Sequence, residues 1–184
     1  KIVTSNDINI IMANYVVPSI YSLQDLDEYS KVETHKTYSF RVPKTAVKAK
    51  KLNEKLDGVT FIIDKDIEQH VRIEPSNKSE KGIFSTVDEI GILNKIDNKS
   101  LELFGVPGAK MITKGFHTYV WNDGIPGLLL DLELDNRQGI LMFITYDENH
   151  KYVNTIQYPL DNGVYSKEQL RRLITDVKLS STGS

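Results

Sequence analysis

Between Gly108 and Tyr158 four successive apolar-rich runs, separated by turn residues, read as consecutive antiparallel strands. Residues 109–121 read as the first strand. Asn122, Asp123 and Gly124 follow it with turn chemistry, and Pro126-Gly127 comes just after. Residues 128–135 are the most regular run: Leu128, Leu130, Leu132 and Leu134 point one way, and Asp131, Glu133 and Asp135 the other. One face is therefore expected to be buried and the other wet, as an antiparallel sheet permits. Residues 136–139 read as a hairpin loop. Residues 140–146 are apolar on both faces, which predicts a central strand. After a turn at 147–150, residues 151–158 form the next strand, and Pro159 stops it.

A helix then begins at Ser166. Its side chain can cap the first turn, Gln169 completes a capping box, and Tyr165 and Leu170 are spaced for a hydrophobic staple. Leu170, Leu173, Ile174 and Val177 make an apolar stripe, with Lys167, Arg171, Arg172 and Lys178 mostly outside it.

The first half of the chain is less regular. Ile8, Ile11, Met12, Tyr15 and Val16 fall at helical spacing, so residues 5–17 predict a helix capped by Asn6 or Asp7 and ended by Pro18. Residues 19–35 read as a polar, acidic connector with one helical turn after Ser22. Tyr38 to Val42 alternates as a strand should and stops at Pro43. A lysine-rich stretch with Lys44, Lys48, Lys50, Lys51 and Lys55 follows and closes on Asp57-Gly58. It reads as a solvated loop or short helix, or as a patch for an acidic partner. Residues 59–63 and 70–74 are two further strands. Thr86 and Glu89 form a second capping box before Val87, Ile90, Leu93 and Ile96, predicting a helix of about three turns.

These elements describe an α+β protein, an antiparallel β-sheet meander packed by helices in an α/β/α sandwich-like arrangement. The organisation expected is an N-terminal helix and connector over residues 1–35, then a single α+β domain over 36–184. A chain of 184 residues suits one domain. The net charge of −2 argues against a general nucleic-acid binder. The absence of cysteine excludes disulfides, thiolate zinc sites and cysteine nucleophiles. No apolar run reaches the ~20 residues of a membrane span, so no membrane insertion by this segment is expected. The chain opens on Lys1; a removed secretion signal and a trimmed end both account for that.

Candidate chemistry is sparse. His35, His70, His117 and His150 stand apart, without a metal-ligand spacing among them. No nucleophile elbow or phosphate loop is present, and no metal or cofactor is expected. Asp131, Glu133 and Asp135 read as the solvated face of a strand, with a cation site or an acid–base pair as the functional alternative. Trp121, Asn122, Asp123 and Tyr119, at the end of a strand beside a Pro-Gly turn, are the candidate binding residues. The tryptophan serves equally well as a core anchor.

The segment Tyr38-Ser39-Phe40-Arg41-Val42-Pro43 resembles the opening strand of PsbP/Mog1-like domains: aromatic, Ser, apolar, any, apolar, Pro. His70-Val71-Arg72-Ile73-Glu74-Pro75 resembles the strand before that family's first helix, and residues 85–96 resemble the helix. Met142-Phe143-Ile144-Thr145-Tyr146 and Tyr165-Ser166-Lys167-Glu168-Gln169-Leu170 resemble its last strands and closing helix. The resemblance spans residues 36–179; the N-terminal helix departs from it. It implies an accessory or protein-binding role, as in photosystem subunits, a nuclear-transport factor and bacterial envelope proteins, and it carries over no functional residues.

The expectation is thus a non-enzymatic, extracytoplasmic accessory domain of a bacterial envelope protein, periplasmic or lipid-anchored, whose partner is another protein. An immunity protein that plugs a toxin is one specific form of it. The alternatives are a hydrolase or small-ligand carrier built on His117, Asp131 and Glu133, and a cytosolic assembly factor.

Overall fold

The computed structural model describes residues 2–5, 8–14, 23–49, 58–75, 108–120, 126–147 and 149–179. The helix expected at 86–96, the lysines beyond Lys48 and the residues Trp121, Asn122 and Asp123 lie outside them. The described elements are, in chain order, β1 (Ile2–Ser5), β2 (Ile8–Asn14), α1 (Leu23–Tyr29), β3 (Ser30–His35), β4 (Tyr38–Pro43), β5 (Val47–Lys48), β6 (Gly58–Ile62) and β7 (Glu68–Pro75). Then come β8 (Met111–Val120), β9 (Pro126–Leu134), β10 (Gln138–Tyr146), β11 (His150–Pro159), α2 (Lys167–Ile174) and β12 (Lys178–Leu179).

Nine strands form one sheet in the order β1-β2-β8-β9-β10-β11-β7-β6-β5, and three form a second, β12-β4-β3. Among the described residues the protein is mainly antiparallel β with few helices. The meander β8 to β11 stands as the alternation predicts. The N-terminus does not: residues 2–5 and 8–14 are strands rather than a helix, with Ile2 opposite Ile11. β2 then runs parallel to β8, with Asn9 opposite Thr113, which makes the sheet mixed. A short, isoleucine-rich apolar run is ambiguous by periodicity, and β-branched side chains favour the pleated form. The connector expected before Tyr38 likewise contains a strand: β3 pairs with β4, Ser30 opposite Pro43 and His35 opposite Tyr38.

The register fixes which residues share a face. Leu132 lies opposite Ile140 and Leu130 opposite Met142, whereas Asp131 lies opposite Leu141 and Leu129 opposite Phe143. The second set faces the main core. There Leu129, Leu141 and Phe143 cluster with Phe40 of β4, Tyr152, and Leu170, Leu173 and Ile174 of α2. Each such side chain contributes about 1.5–3 kcal/mol on burial. Helix α2 therefore covers the Asp131 and Glu133 face, the one expected to be wet. Leu128, Leu130, Leu132 and Leu134 on the opposite face are buried too, and Leu132 and Leu134 cluster with Ile140, Met111 and Ala109. β9 is thus buried on both sides.

A polar network crosses the main core. Gln69 donates to the Arg41 carbonyl at 3.0 Å and to Asn154 Oδ1 at 3.1 Å, and Asn154 donates to the Tyr152 hydroxyl at 3.0 Å. These hydrogen bonds fix the placement of β4 over β7 and β11, while the Gln69 side-chain oxygen is buried without a partner among the described residues. Burial pushes the Tyr152 phenol well above its ordinary value, with Asp176 adding to the rise and the Asn154 hydrogen bond opposing it. Arg41 holds the smaller sheet to α1 and the end of α2: Nε donates to Asp176 at 2.8 Å, and Nη1 to Asp27 at 2.6 Å and Ser30 at 3.2 Å.

Candidate functional site

Each end of the large sheet carries a cluster of polar groups. One holds the β8–β9 connection. Tyr119 lies opposite Gly127, which is also opposite Thr145. The register therefore brings the β8–β9 and β10–β11 turns to the same end. In the second turn Asp147 Oδ1 accepts from the Asn149 and His150 amides at 2.7 Å each, and its other oxygen accepts from the Tyr38 hydroxyl. Burial alone would raise the Asp147 carboxyl; these hydrogen bonds outweigh it and hold the group below its ordinary value.

The opposite end holds a cleft of about 450 Å³ between the β9–β10 turn and the β11–α2 connection. Glu133, Arg137, Tyr158, Leu160, Asn162 and Lys167 are among its lining residues. Local structure explains each position. Arg137 occupies the left-handed region at φ 66° in the hairpin turn, and Asn162 does so at φ 57° in the loop before α2; asparagine adopts that conformation more readily than most residues. Lys167 is the first residue of α2, whose start is set by the Ser166–Gln169 capping box.

Above the sheet, α2 is clasped to β9 by ion pairs. Lys167 Nζ lies 2.5 Å from Glu133 Oε1 and 3.2 Å from Asp131 Oδ1. Arg171 reaches the other oxygen of Asp131 and also pairs with Glu168 at 2.8 Å. Burial opposes the charge on Arg171, but its carboxylate partners prevail and raise its pKa. On the rim Arg137 Nε donates to Asp161 at 2.6 Å.

The floor includes Tyr158. Its ring lies against the backbone of Gly139, where an added Cβ would come within 2.5 Å of Cζ and 2.7 Å of the hydroxyl. Only glycine admits that approach without movement. The hydroxyl is buried and has no hydrogen-bond partner among the described residues. Burial, then the charges of Asp131 and Glu133, push the phenol well above its ordinary value.

The residues expected to bear function fare differently. Asp131 and Glu133 do come together, but as the acceptors of the helix clasp, and Asp131 is 4% exposed rather than solvated. Asp135 accepts the Lys110 amide at 2.9 Å and is exposed. His117 lies opposite Leu129 on β8, one alternation from the Gly115–Asp131 pair. Tyr119 is placed by its backbone at the far end of β8. Sequence reasoning missed Tyr158, Arg137 and Lys167 as members of one cleft. The available signal was the lysine and arginine on the first turns of α2, which complement the acidic side of β9.

No family model and no curated protein sequence matches the chain. The fold nevertheless has solved counterparts and resembles that of PsbP: a largely antiparallel sheet with a helix packed on it near the C-terminal end of the described residues. The solution structure of cyanobacterial PsbP (CyanoP) from Synechocystis sp. PCC 6803 superimposes with a TM-score of 0.54 at 13% identity, covering 82% of this chain and 92% of that one. A crystal structure from Bacteroides thetaiotaomicron VPI-5482 matches at a TM-score of 0.41 and 10% identity, covering 85% of this chain and 50% of that one. The second likeness is too slight to inform the fold.

Proposed function

We propose that this chain is a non-enzymatic accessory domain that acts outside the cytoplasm by binding another protein, as an envelope-associated domain of a bacterium. The observation that carries this reading is the PsbP-like fold, which the cyanobacterial PsbP structure shares over most of both chains; accessory and binding roles are what the sequence resemblance implies for such domains. Fold by itself is an analogy. The use of the ionisable residues adds support. Asp131 and Glu133, first choices for a hydrolase, are engaged by Lys167 and Arg171 in holding α2 to the sheet.

The contact surface in this reading is the turn end bearing Tyr119, Trp121, Asn122 and Asp123. Loops at the end of a rigid sheet are where binding residues concentrate, and an aromatic anchor beside polar groups is the composition of a binding hot spot. An immunity-type complex, in which the same turn plugs a toxin, is the narrower form of the proposal. The test is capture of the partner from cells that produce the protein. Trp121→Ala with Asp123→Ala is expected to reduce capture at least tenfold, about 1.4 kcal/mol, while the melting temperature stays within about 2 °C of the parent, the outcome for residues that act in binding and not in packing. Undiminished capture by a folded double variant removes the turn as the contact surface.

A further inference from the structure

The cleft beside α2 has no part in that reading, and its chemistry is specific enough to indicate a ligand. Its volume of about 450 Å³ falls among small-molecule sites. Its cations are already matched: Lys167 pairs with Glu133, and Arg137 with Asp161. A ligand of either charge would have to displace one of these partners. A neutral one need not, because a carboxylate retains lone pairs and a guanidinium retains N–H groups beyond those an ion pair uses. The wall also mixes tyrosine, proline and leucine with these groups, so it offers apolar surface beside hydrogen-bonding edges.

The Tyr158 hydroxyl supplies the second observation. It is a buried group without a partner among the described residues, held against Gly139 by close packing in a site bordered by Glu133 and Lys167. Native proteins rarely leave such a group unmatched without a reason. A ligand hydroxyl seated beside Glu133 would accept from the phenol and donate to a remaining lone pair of the carboxylate, leaving the Lys167 pair in place.

We propose that the cleft between the β9–β10 turn and the start of α2 binds a neutral polyhydroxyl ligand, a saccharide unit, through Tyr158, Glu133, Lys167 and Arg137.

The test is an amide-resolved NMR titration of the whole chain with two neutral disaccharides, maltose and cellobiose, and with glucuronic acid and glucosamine as charged counterparts. The expected result is saturable shifts at residues 160–167 with a neutral sugar, and weaker binding of both charged ones. Tyr158→Phe keeps the ring over Gly139 and is expected to weaken binding about threefold to tenfold, the size of one hydrogen bond. Arg137→Ala, on the exposed rim, is the second variant and is expected to weaken binding without unfolding. The proposal is overturned if neither neutral sugar gives saturable shifts, if a charged sugar binds more tightly, if the shifts fall elsewhere on the chain, or if Tyr158→Phe binds like the parent. Trp121→Ala with Asp123→Ala should leave the titration unchanged, so failure here and failure of the protein-binding reading remain separate results.

Discussion

Replacing Asp131 with alanine tests the central packing argument. The Asp131 side chain is 6% exposed and faces Arg171 and Lys167, themselves 17% and 28% exposed. Removing one member of a buried ion pair costs about 3–5 kcal/mol when the remaining charge is left with nothing. Here each cation keeps a second partner, Glu168 for Arg171 and Glu133 for Lys167. The expected loss is therefore smaller, about 2–3 kcal/mol, or about 4–12 °C in melting temperature for a chain of this size. Glu133→Ala removes a carboxylate that is 35% exposed and should cost less than about 1 kcal/mol. Urea unfolding followed by circular dichroism gives both numbers, and Arg171→Ala completes a double-mutant cycle with Asp131→Ala. Coupling of at least about 1 kcal/mol is expected between the two. Replacing the pair together, Asp131→Leu with Arg171→Met, should recover most of the loss, because two fitted apolar groups need no desolvated charge. A loss below about 0.5 kcal/mol for Asp131→Ala, or strict additivity with Arg171→Ala, would refute the placement of α2 over the acidic side of β9.

Three further substitutions probe other parts of the fold. Gly139→Ala drives a Cβ to 2.5 Å from Tyr158 Cζ; overpacking of this kind costs about 1–3 kcal/mol, and a thermal melt should show the loss shrink when Tyr158→Val is added. Arg41→Ala strands Asp176, which retains only the 3.6 Å contact with Arg172 among the described ion pairs, and should cost about 3–5 kcal/mol by chemical denaturation; Arg41→Lys should rescue little, since one ammonium cannot span both Asp27 and Asp176 as the guanidinium fork does. Burial, with a smaller effect from Arg72, holds the His70 pKa below the ordinary histidine value. As pH falls through about 6.5 the unfolded chain therefore takes up the proton first, so stability declines between about pH 7 and pH 5. His70→Gln should flatten that slope in urea midpoints measured across the range, and an unchanged slope would contradict the assigned burial.

The elements legible in the sequence were those with one dominant local pattern. The Ser166–Gln169 capping box and the leucine spacing after it fixed the start and the buried stripe of α2. Turn residues at 136–139 and 147–150 delimited β9, β10 and β11. What failed was inference from periodicity to environment. Alternation on β9 separates its two faces correctly, yet says nothing of what covers each one. Asp131 reads as solvent-facing because carboxylates usually are, and only the approach of Lys167 and Arg171, from residues far along the chain, turns that face into an interface. At the N-terminus Ile8, Ile10 and Ile11 suit either a helix or a strand, and the pairing of β2 with β8 decided it. The cleft was invisible for the same reason: Glu133, Arg137, Tyr158 and Lys167 come from three separate stretches.

The division of the sheet into covered faces and open ends bears directly on how such a domain binds. A strand buried on both sides, as β9 is, cannot offer a flat recognition platform. The opposite face changes character only toward β11, β7 and β6, where Thr155, Gln157, His70 and Thr60 are partly exposed and Thr60 and His70 hydrogen-bond at 2.7 Å. Contact surfaces are thus directed to the two ends of the meander. At one end backbone pairing gathers the β8–β9 and β10–β11 turns around Tyr119 and Asp147. At the other, the same clasp that fixes α2 also forms one wall of the Tyr158 cleft. A substitution that loosens Asp131 should therefore disturb the cleft as well as stability, whereas Tyr119 at the turn end, four residues along β8 from the Gly115–Asp131 pair and held by its own backbone pairing to Gly127, should keep its geometry. Comparing ligand titration and partner capture in Asp131→Ala separates the two: loss of the first with retention of the second is the outcome this architecture requires.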